Sequence, residues 1–201
     1  FFMAQFLEDS GSSADHSTSE RARVQELISS RYPEFDASVT VTKAWLSYPG
    51  AQAPALQGID LHVPQGSSVA LVGPTGAGKS SLADLVLGVH EPDSGSVDIG
   101  GLSPRDAINT SPGAIAYVPQ AVALVGGSGR ANVALGLPDV LIDDELVWEA
   151  LERAHLADFL RENREGLDTA VGERGFKFSG GQRQRLGIAR ALYTRPKLLV
   201  L

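Results

Sequence analysis

The sequence predicts an α/β domain, and three observations carry that prediction. Strand-like runs alternate with stretches whose apolar residues recur at helical spacing, in the order β, helix, β, helix, β. A glycine-rich loop at 73–80 lies between an apolar run and an amphipathic stretch. The 201 residues are 43% apolar, which suits one domain with a single core. We therefore expect a sheet with helices packed on it, with further β and helical insertions.

The first part of the chain has the composition of a linker. Residues 8–20 are polar and serine-rich, and residues 20–29 predict a short amphipathic helix with Val24, Leu27 and Ile28 on one face. We interpret residues 1–36 as a linker with the end of an earlier helix. The folded domain is expected over 37–201.

Before the glycine-rich loop, the pattern predicts three strands. The first covers 39–46 and ends in a turn at 48–50, and the second covers 55–63. A Pro-Gln-Gly turn at 64–66 then leads to Val69–Val72, an apolar run typical of a buried parallel strand.

After the loop, helices and strands alternate. Leu82, Leu85 and Val86 fall on one face of a helix that Gly88 caps. Residues 142–163 predict a long helix with two aspartates at its start. The remaining predictions are strands at 96–99 and 114–118, a helix over 179–192, and a buried strand over 198–201.

Composition excludes several classes of function. The chain contains no cysteine, which removes disulfides, thiolate metal sites and cysteine nucleophiles. Its formal net charge is -7, so we expect no nucleic-acid partner, because phosphate contacts usually come from a basic surface. No apolar run reaches the roughly 18 residues that a membrane-spanning helix needs.

The glycine-rich loop carries the clearest chemistry. Gly73-Pro74-Thr75-Gly76-Ala77-Gly78-Lys79-Ser80 matches G-x-x-x-x-G-K-[ST] at every fixed position. Glycines let successive N–H groups point at phosphate oxygens, Lys79 brings a charge to the β- and γ-phosphates, and the Ser80 hydroxyl is a ligand for Mg²⁺. The motif predicts a site for a nucleoside triphosphate with Mg²⁺. By itself it leaves kinases, GTPases and motors open.

A second motif narrows the family. Phe178-Ser179-Gly180-Gly181-Gln182 precedes a helical stretch and resembles the LSGGQ signature of ABC ATPases, with phenylalanine in place of the usual leucine. Ser179 caps such a helix, whose glycine-lined N-terminus offers N–H groups to a second anion. Alone, Ser-Gly-Gly would also fit an ordinary capped helix. Downstream of the phosphate loop, the segment resembles the ABC ATPase family.

This resemblance implies a fold and further site residues. The fold is a P-loop NTPase with a RecA-like core sheet, an antiparallel β subdomain, and an α-helical signature subdomain at about 121–178. Gln120, after Tyr117-Val118-Pro119, resembles the Q-loop glutamine that touches Mg²⁺ and the attacking water. Tyr48 matches the aromatic residue that stacks on adenine. The alternatives are a plain polar loop residue for Gln120 and a surface-packed turn tyrosine for Tyr48.

The implied site is shared between two domains. Lys79 and Gln120 have the catalytic roles, and Ser80 and Gln120 are the Mg²⁺ ligands. In this family two domains pair head to tail, so that ATP lies between the phosphate loop of one and the signature helix of the other. The residues implied to contact ATP are Tyr48, Gly73, Pro74, Thr75, Gly76, Ala77, Gly78, Lys79, Ser80, Ser81, Gln120, Ser179, Gly180, Gly181 and Gln182.

Two segments resemble the exporter branch of the family. Residues 169–175 are similar to T-E-V-G-E-R-G, with Ala170 in place of the first glutamate, and 127–133 loosely resemble G-T-I-R-E-N-I. The resemblance implies a transmembrane-domain partner, fused or separate, and a location at the cytoplasmic face of a membrane. It also implies that residues 1–36 are a linker with the end of a membrane-domain helix. A soluble ABC ATPase acting on DNA or ribosomes and an unrelated P-loop kinase are the competing hypotheses.

Some family residues are missing from the sequence, and some residues of the sequence have no assigned role. In the family, the strand after the signature helix ends in Asp-Glu, whereas this chain stops at Leu201. We therefore expect a truncated domain that binds ATP without hydrolysing it at a useful rate, within a parent protein that is an ATPase. His16, His62, His90 and His155 receive no role. Arg183, Arg185 and Arg190 are interpreted as a solvated helix face.

Overall fold

The computed structural model describes residues 26, 28, 30, 32–172 and 178–201. They fall into two compact units, which are treated separately below. The β unit is Tyr32–Ile115, and the helical unit combines residues 116–201 with the described residues before Tyr32. The predicted helical subdomain of about 121–178 lies within the helical unit.

The β unit is built on a three-stranded antiparallel sheet. Strand β1 (Val39–Leu46) lies between β2 (Leu56–Val63) and β3 (Ser94–Ile99). Val39 pairs with Val63 on one side and with Ile99 on the other. The alternation predicted from sequence corresponds to the burial of Val39, Val41, Ala44 and Leu46. The antiparallel β subdomain is thereby confirmed.

Two helices complete the β unit. Helix α1 (Lys79–Val86) buries Leu82, Leu85 and Val86 as predicted, and the Gly88 N–H donates to Leu85 O at 3.1 Å where the helix ends. Helix α2 (Pro104–Thr110) was not predicted. It is a short helix capped by the Ser103 hydroxyl, which accepts from the Asp106 N–H.

The prediction of a buried strand at Val69–Val72 is wrong. The segment belongs to neither sheet, and Val69, Leu71 and Val72 are 53%, 44% and 92% exposed. An apolar run becomes a buried strand only where neighbouring strands satisfy its backbone and elements cover both its faces. In the described part of the chain, strand pairing joins β1 to β2 and β3, and joins the two strands of a second sheet, without this segment.

The second sheet has two strands. Strand β4 (Ile115–Tyr117) pairs with β5 (Leu198–Val200), and the Val118 N–H donates to Val200 O at 2.9 Å. The predicted burial of the last strand is not found. Residues 198–200 are half-buried and Leu201 is 78% exposed, because β5 pairs with a single described strand.

Within residues 116–172 and 178–201 of the helical unit, the structure describes four α-helices. They are α3 (Gly129–Val133), α4 (Asp144–Arg153), α5 (Ala157–Arg161) and α6 (Gly180–Tyr193), with 3-10 turns at Asp139–Leu141 and Gly166–Asp168. Helices α4 and α6 pack on each other around a core that includes Leu151, Leu156, Leu160, Leu186 and Tyr193. The helix predicted over 179–192 is confirmed as α6.

The helix predicted over 142–163 is two helices. Helix α4 ends in a Schellman motif: the His155 N–H donates to Glu152 O, and the Leu156 N–H donates to Leu151 O. His155 adopts φ 53, in the left-handed region that usually takes glycine. Because a histidine stands at that position, the sequence carries no glycine signal for the break.

Two sequence predictions lie largely outside the described residues. Of the proposed helix over 20–29, Val24 and Leu27 fall outside, while Ile28 is fully buried in the core of the helical unit. Of the exporter-like segment at 169–175, the structure describes residues up to Gly172. Ala170 forms a β-bridge with Ser128.

Candidate functional site

The phosphate loop wraps tightly in front of helix α1. The Ala77 N–H donates to Pro74 O at 3.2 Å, which closes a turn inside the loop. Gly78, the residue before the helix, has φ 85. A Cβ at this position would lie 2.5 Å from Ala55 O and 2.9 Å from Leu56 Cδ2. Glycine is therefore required at 78 for both conformational and steric reasons.

Lys79 folds back over the loop that precedes it. Its Nζ donates to Gly73 O and to Pro74 O, each at 2.8 Å. The ammonium is thus held at the loop by carbonyl oxygens from the loop itself. A cation anchored above the loop suits an anionic ligand, since phosphate oxygens are stronger acceptors for an ammonium than neutral carbonyls.

The N-terminus of α1 lacks the usual side-chain cap. Gly78 occupies the N-cap position, and no acidic residue stands in the first turn. The first N–H groups of a helix need acceptors, and the helix dipole favours an anion there. Together with Lys79 and exposed Ser80, this end of α1 fits a bound phosphate group.

Tyr48 lies beside the same helix. Its hydroxyl donates to the Oγ of Ser81 at 3.1 Å, and Ser81 is buried two residues beyond Lys79. The ring of His90 meets the Tyr48 ring edge-to-face, with centroids 5.4 Å apart. The structure therefore joins Tyr48 to Ser81 in the helix that begins at Lys79, while the role of Tyr48 stays a prediction.

The signature segment is the start of α6. Ser179 and Gln182 form a reciprocal capping box: Ser179 Oγ accepts from the Gln182 N–H at 3.2 Å, and Gln182 Oε1 accepts from the Ser179 N–H at 2.8 Å. Gly180 and Gly181 between them are exposed. Arg183 donates to Phe178 O at 2.7 Å, which ties the helix to the residue before its cap.

The predicted residues divide between the two units. Tyr48 and the loop 73–81 belong to the β unit, whereas Gln120 and Ser179–Gln182 belong to the helical unit. Gln120 follows β4 and is exposed. Each group is described within its own unit, so the composite site remains a prediction.

The helical unit contains a polar network that sequence reasoning missed. Asn132 is fully buried, accepts from the Val125 N–H at 3.0 Å, and donates to Val125 O and Ser128 O. Arg190 donates to Asn132 O at 2.8 Å and to Ala123 O at 2.9 Å. The network fastens helix α6 to the segment that follows Gln120.

The interpretation of three arginines as a solvated face is therefore wrong. Arg183, Arg185 and Arg190 are half-buried, and burial lowers the pKa of the Arg190 guanidinium from its ordinary value. Five fixed donors in a planar group allow Arg190 to satisfy several carbonyls at once. Asn132 beside Ala131, Val133 and Ala134 was a local sequence signal for this network.

A phosphate loop at the start of a helix, with its lysine folded over it, defines a P-loop nucleotide-binding domain. Comparison with known families identifies which family of P-loop domains the chain matches. The family described as ABC transporter matches residues 56–201, well over half of the chain. The chain belongs to the ABC transporter ATPase family.

Similarity to individual proteins supports this assignment to the family. The chain is 42% identical over 157 residues to an ATP-dependent lipid A-core flippase of Thiobacillus denitrificans, covering 78% of this chain and 27% of that protein. It is 38% identical over 190 residues to a multidrug efflux ATP-binding/permease protein of Mycobacterium tuberculosis, covering 89% of this chain and 16% of that protein. The chain therefore spans a minor part of the curated relatives it matches.

A solved structure shares the fold. A bacterial Atm1-family ABC exporter with ATP bound superposes with a TM-score of 0.73 at 36% identity. The match covers 83% of this chain and 30% of that chain. Within the part of the chain that the structure describes, no helix has the length and apolar character needed to cross a membrane.

Proposed function

We propose that this chain binds ATP with Mg²⁺ as the nucleotide-binding domain of an ABC exporter. The observation that carries the proposal is the loop Gly73–Ser80 at the uncapped start of α1, with Lys79 Nζ held 2.8 Å from two loop carbonyls. Phosphate oxygens would replace those carbonyls as partners of the ammonium. Tyr48, tied to Ser81, would offer its ring to the base.

Mg²⁺ would arrive with the nucleotide. Among the described residues, no group of three or more histidine or acidic side chains is arranged to hold a metal. Mg²⁺ does not need one, because it commonly binds through one or two protein oxygens, waters and substrate phosphates. The exposed Ser80 hydroxyl fits that pattern, and Gln120 is proposed as a second contact. The bound cation would neutralise charge on the β- and γ-phosphates.

The proposed partners are a transmembrane domain and a second nucleotide-binding domain. The relatives named above are a flippase and an efflux permease, and this chain resembles a fraction of each. We propose that the domain works at the cytoplasmic face of a membrane, with ATP-driven head-to-tail pairing powering export. Support comes from exposed Gly180 and Gly181 at the start of α6, where a second anion could approach.

Nucleotide titration tests the proposal. Isothermal titration of ATP in the presence of Mg²⁺ would compare the chain with its Lys79→Ala variant. Loss of charge-assisted hydrogen bonds to phosphate is expected to weaken binding by about 10- to 100-fold. Lys197→Ala serves as the matched control, because Lys197 is an exposed lysine of the helical unit. Absence of ATP binding by the unmodified chain, or equal affinities for it and Lys79→Ala, would contradict the proposal.

A further inference from the structure

The loop between α1 and β3 contacts the segment that carries Tyr48. The Asp93 N–H donates to Trp45 O at 2.8 Å, and the Asp93 carboxylate accepts from the Ser47 N–H at 2.7 Å. The imidazole of His90 meets the Tyr48 ring edge-to-face, with an interplanar angle of 82°. Two backbone anchors and one ring contact therefore converge on residues 45–48.

These contacts restrain different motions of the tyrosine. The backbone anchor at Ser47 and the hydroxyl bond to Ser81 hold the two ends of the Tyr48 side chain. Both ends lie close to the long axis of the ring, the Cβ–Cγ direction that also passes through the phenol oxygen. Rotation of the ring plane about that axis leaves both anchors in place. A contact with the ring away from that axis is needed to fix the plane, and the edge-to-face contact with His90 supplies one.

The plane of the ring matters for stacking. Stacking of an aromatic side chain on a nucleobase requires the two planes to lie face to face in an offset arrangement. We propose that His90 is the positioning residue of the base site: it sets the plane of Tyr48 against which the base of the nucleotide stacks, while Asp93 holds the backbone beneath. This inference rests on the proposed ATP-binding function and assigns a residue that lies outside the phosphate loop.

The local structure lets the side chain of His90 be changed without moving its backbone. The Val89 N–H donates to Asp84 O at 2.9 Å, so the loop is anchored to α1 through main-chain atoms. His90 itself is exposed, and its removal opens no cavity in the core. A loss of function in a His90 variant is therefore attributable to the ring contact.

The experiment separates base recognition from phosphate recognition. Dissociation constants for ATP and for inorganic tripolyphosphate would be measured on the full chain and on His90→Ala, His90→Phe, Tyr48→Ala and His62→Ala. We expect His90→Ala to bind ATP about three- to tenfold more weakly, the range of an edge-to-face aromatic pair. Tripolyphosphate binding should stay unchanged, because the phosphate loop is intact.

Two further variants test whether the aromatic ring at position 90 is responsible for the effect. His90→Phe keeps an aromatic ring beside Tyr48 and should restore most of the ATP affinity. His62→Ala is the matched control: His62 is an exposed histidine of the same unit whose ring contacts Thr40 on the sheet, and its loss should change neither constant.

Each other outcome overturns the inference in a recognisable way. Equal ATP affinities of His90→Ala and the unmodified chain, with Tyr48→Ala weakened, would remove His90 from the base site. Parallel losses for ATP and tripolyphosphate would indicate a general disturbance instead of ring positioning. Equal affinity of the unmodified chain for both ligands would rule out a base platform and leave the phosphate site standing. Binding of neither ligand would overturn the proposed function as well.

Discussion

At the scale of single residues, two independent physical reasons require glycine at position 78 of the phosphate-loop motif. Its φ of 85 lies in a region that glycine occupies without penalty, and a Cβ there would meet the backbone of Ala55 and the side chain of Leu56. The second reason is specific to this fold, because the start of β2 passes beside the loop. A methyl group would therefore displace either β2 or the loop that leads into α1.

The Gly78→Ala variant is expected to lose both stability and ATP affinity. The left-handed conformation costs a side chain about 1–2 kcal/mol, and relief of the clash adds to this. Gly66→Ala is the matched control, since Gly66 has φ 76 and a Cβ there would meet nothing within 4 Å. Urea denaturation and ATP titration would compare the two variants. Equal losses in Gly66→Ala and Gly78→Ala would show that the clash is unimportant.

At the scale of elements, helix ends decide where the chain turns. Helix α6 begins at a capping box whose two partners are three residues apart, so the pattern is visible in the sequence. Helix α4 ends in a Schellman motif whose left-handed residue is His155. Nothing in the local sequence distinguishes that position from a helix interior, and the predicted helix continued across it.

Substitution of His155 by glycine should stabilise the helical unit. Glycine adopts the left-handed conformation without the Cβ penalty, so we expect a gain of about 0.5–1 kcal/mol in the free energy of unfolding. His155 is exposed, and its ring contributes little to the core. His155→Ala keeps the Cβ and should gain much less. Chemical denaturation would measure both, and a destabilised His155→Gly would contradict this account of the break.

At the scale of the whole molecule, each unit contains a buried tyrosine. The Tyr32 hydroxyl donates to Pro112 O in the β unit, and the Tyr193 oxygen accepts from the Asp143 N–H in the helical unit. Burial raises the pKa of both phenols above the ordinary value, because an apolar interior disfavours the phenolate. The folded chain therefore keeps protons that the unfolded chain releases.

Stability should fall in alkali for this reason. A folded pKa above the unfolded one leaves stability intact below about pH 10 and reduces it as the pH rises further, by roughly 1.4 kcal/mol for Tyr32 at about pH 11. Urea denaturation at about pH 8 and pH 11 would measure the loss. Tyr32→Phe and Tyr193→Phe should each show a smaller loss between the two pH values. An undiminished loss in both variants would assign the effect to other groups.

The sequence by itself determined the features that depend on neighbours along the chain. The alternation of β1, the apolar face of α1, the cap of α6 and the phosphate loop all depend on residues a few positions apart, whose spacing matches a helix, strand or turn. The family followed from two such local motifs and their order. The strand, the helix face, the cap and the family are confirmed, and the phosphate-binding role of the loop stays a prediction.

Only the tertiary structure decided the contacts between distant segments. Asn132 and Arg190 are 58 positions apart and become one network, and Tyr48 and His90 meet through the packing of the loop after α1. The apolar run at 69–72, by contrast, belongs to neither of the two described sheets and is exposed. The physical reason is the same in each case. Burial of a side chain, pairing of a strand and hydrogen bonding of a polar group depend on which distant segment the fold brings near, and the spacing of residues along the chain does not predict that segment.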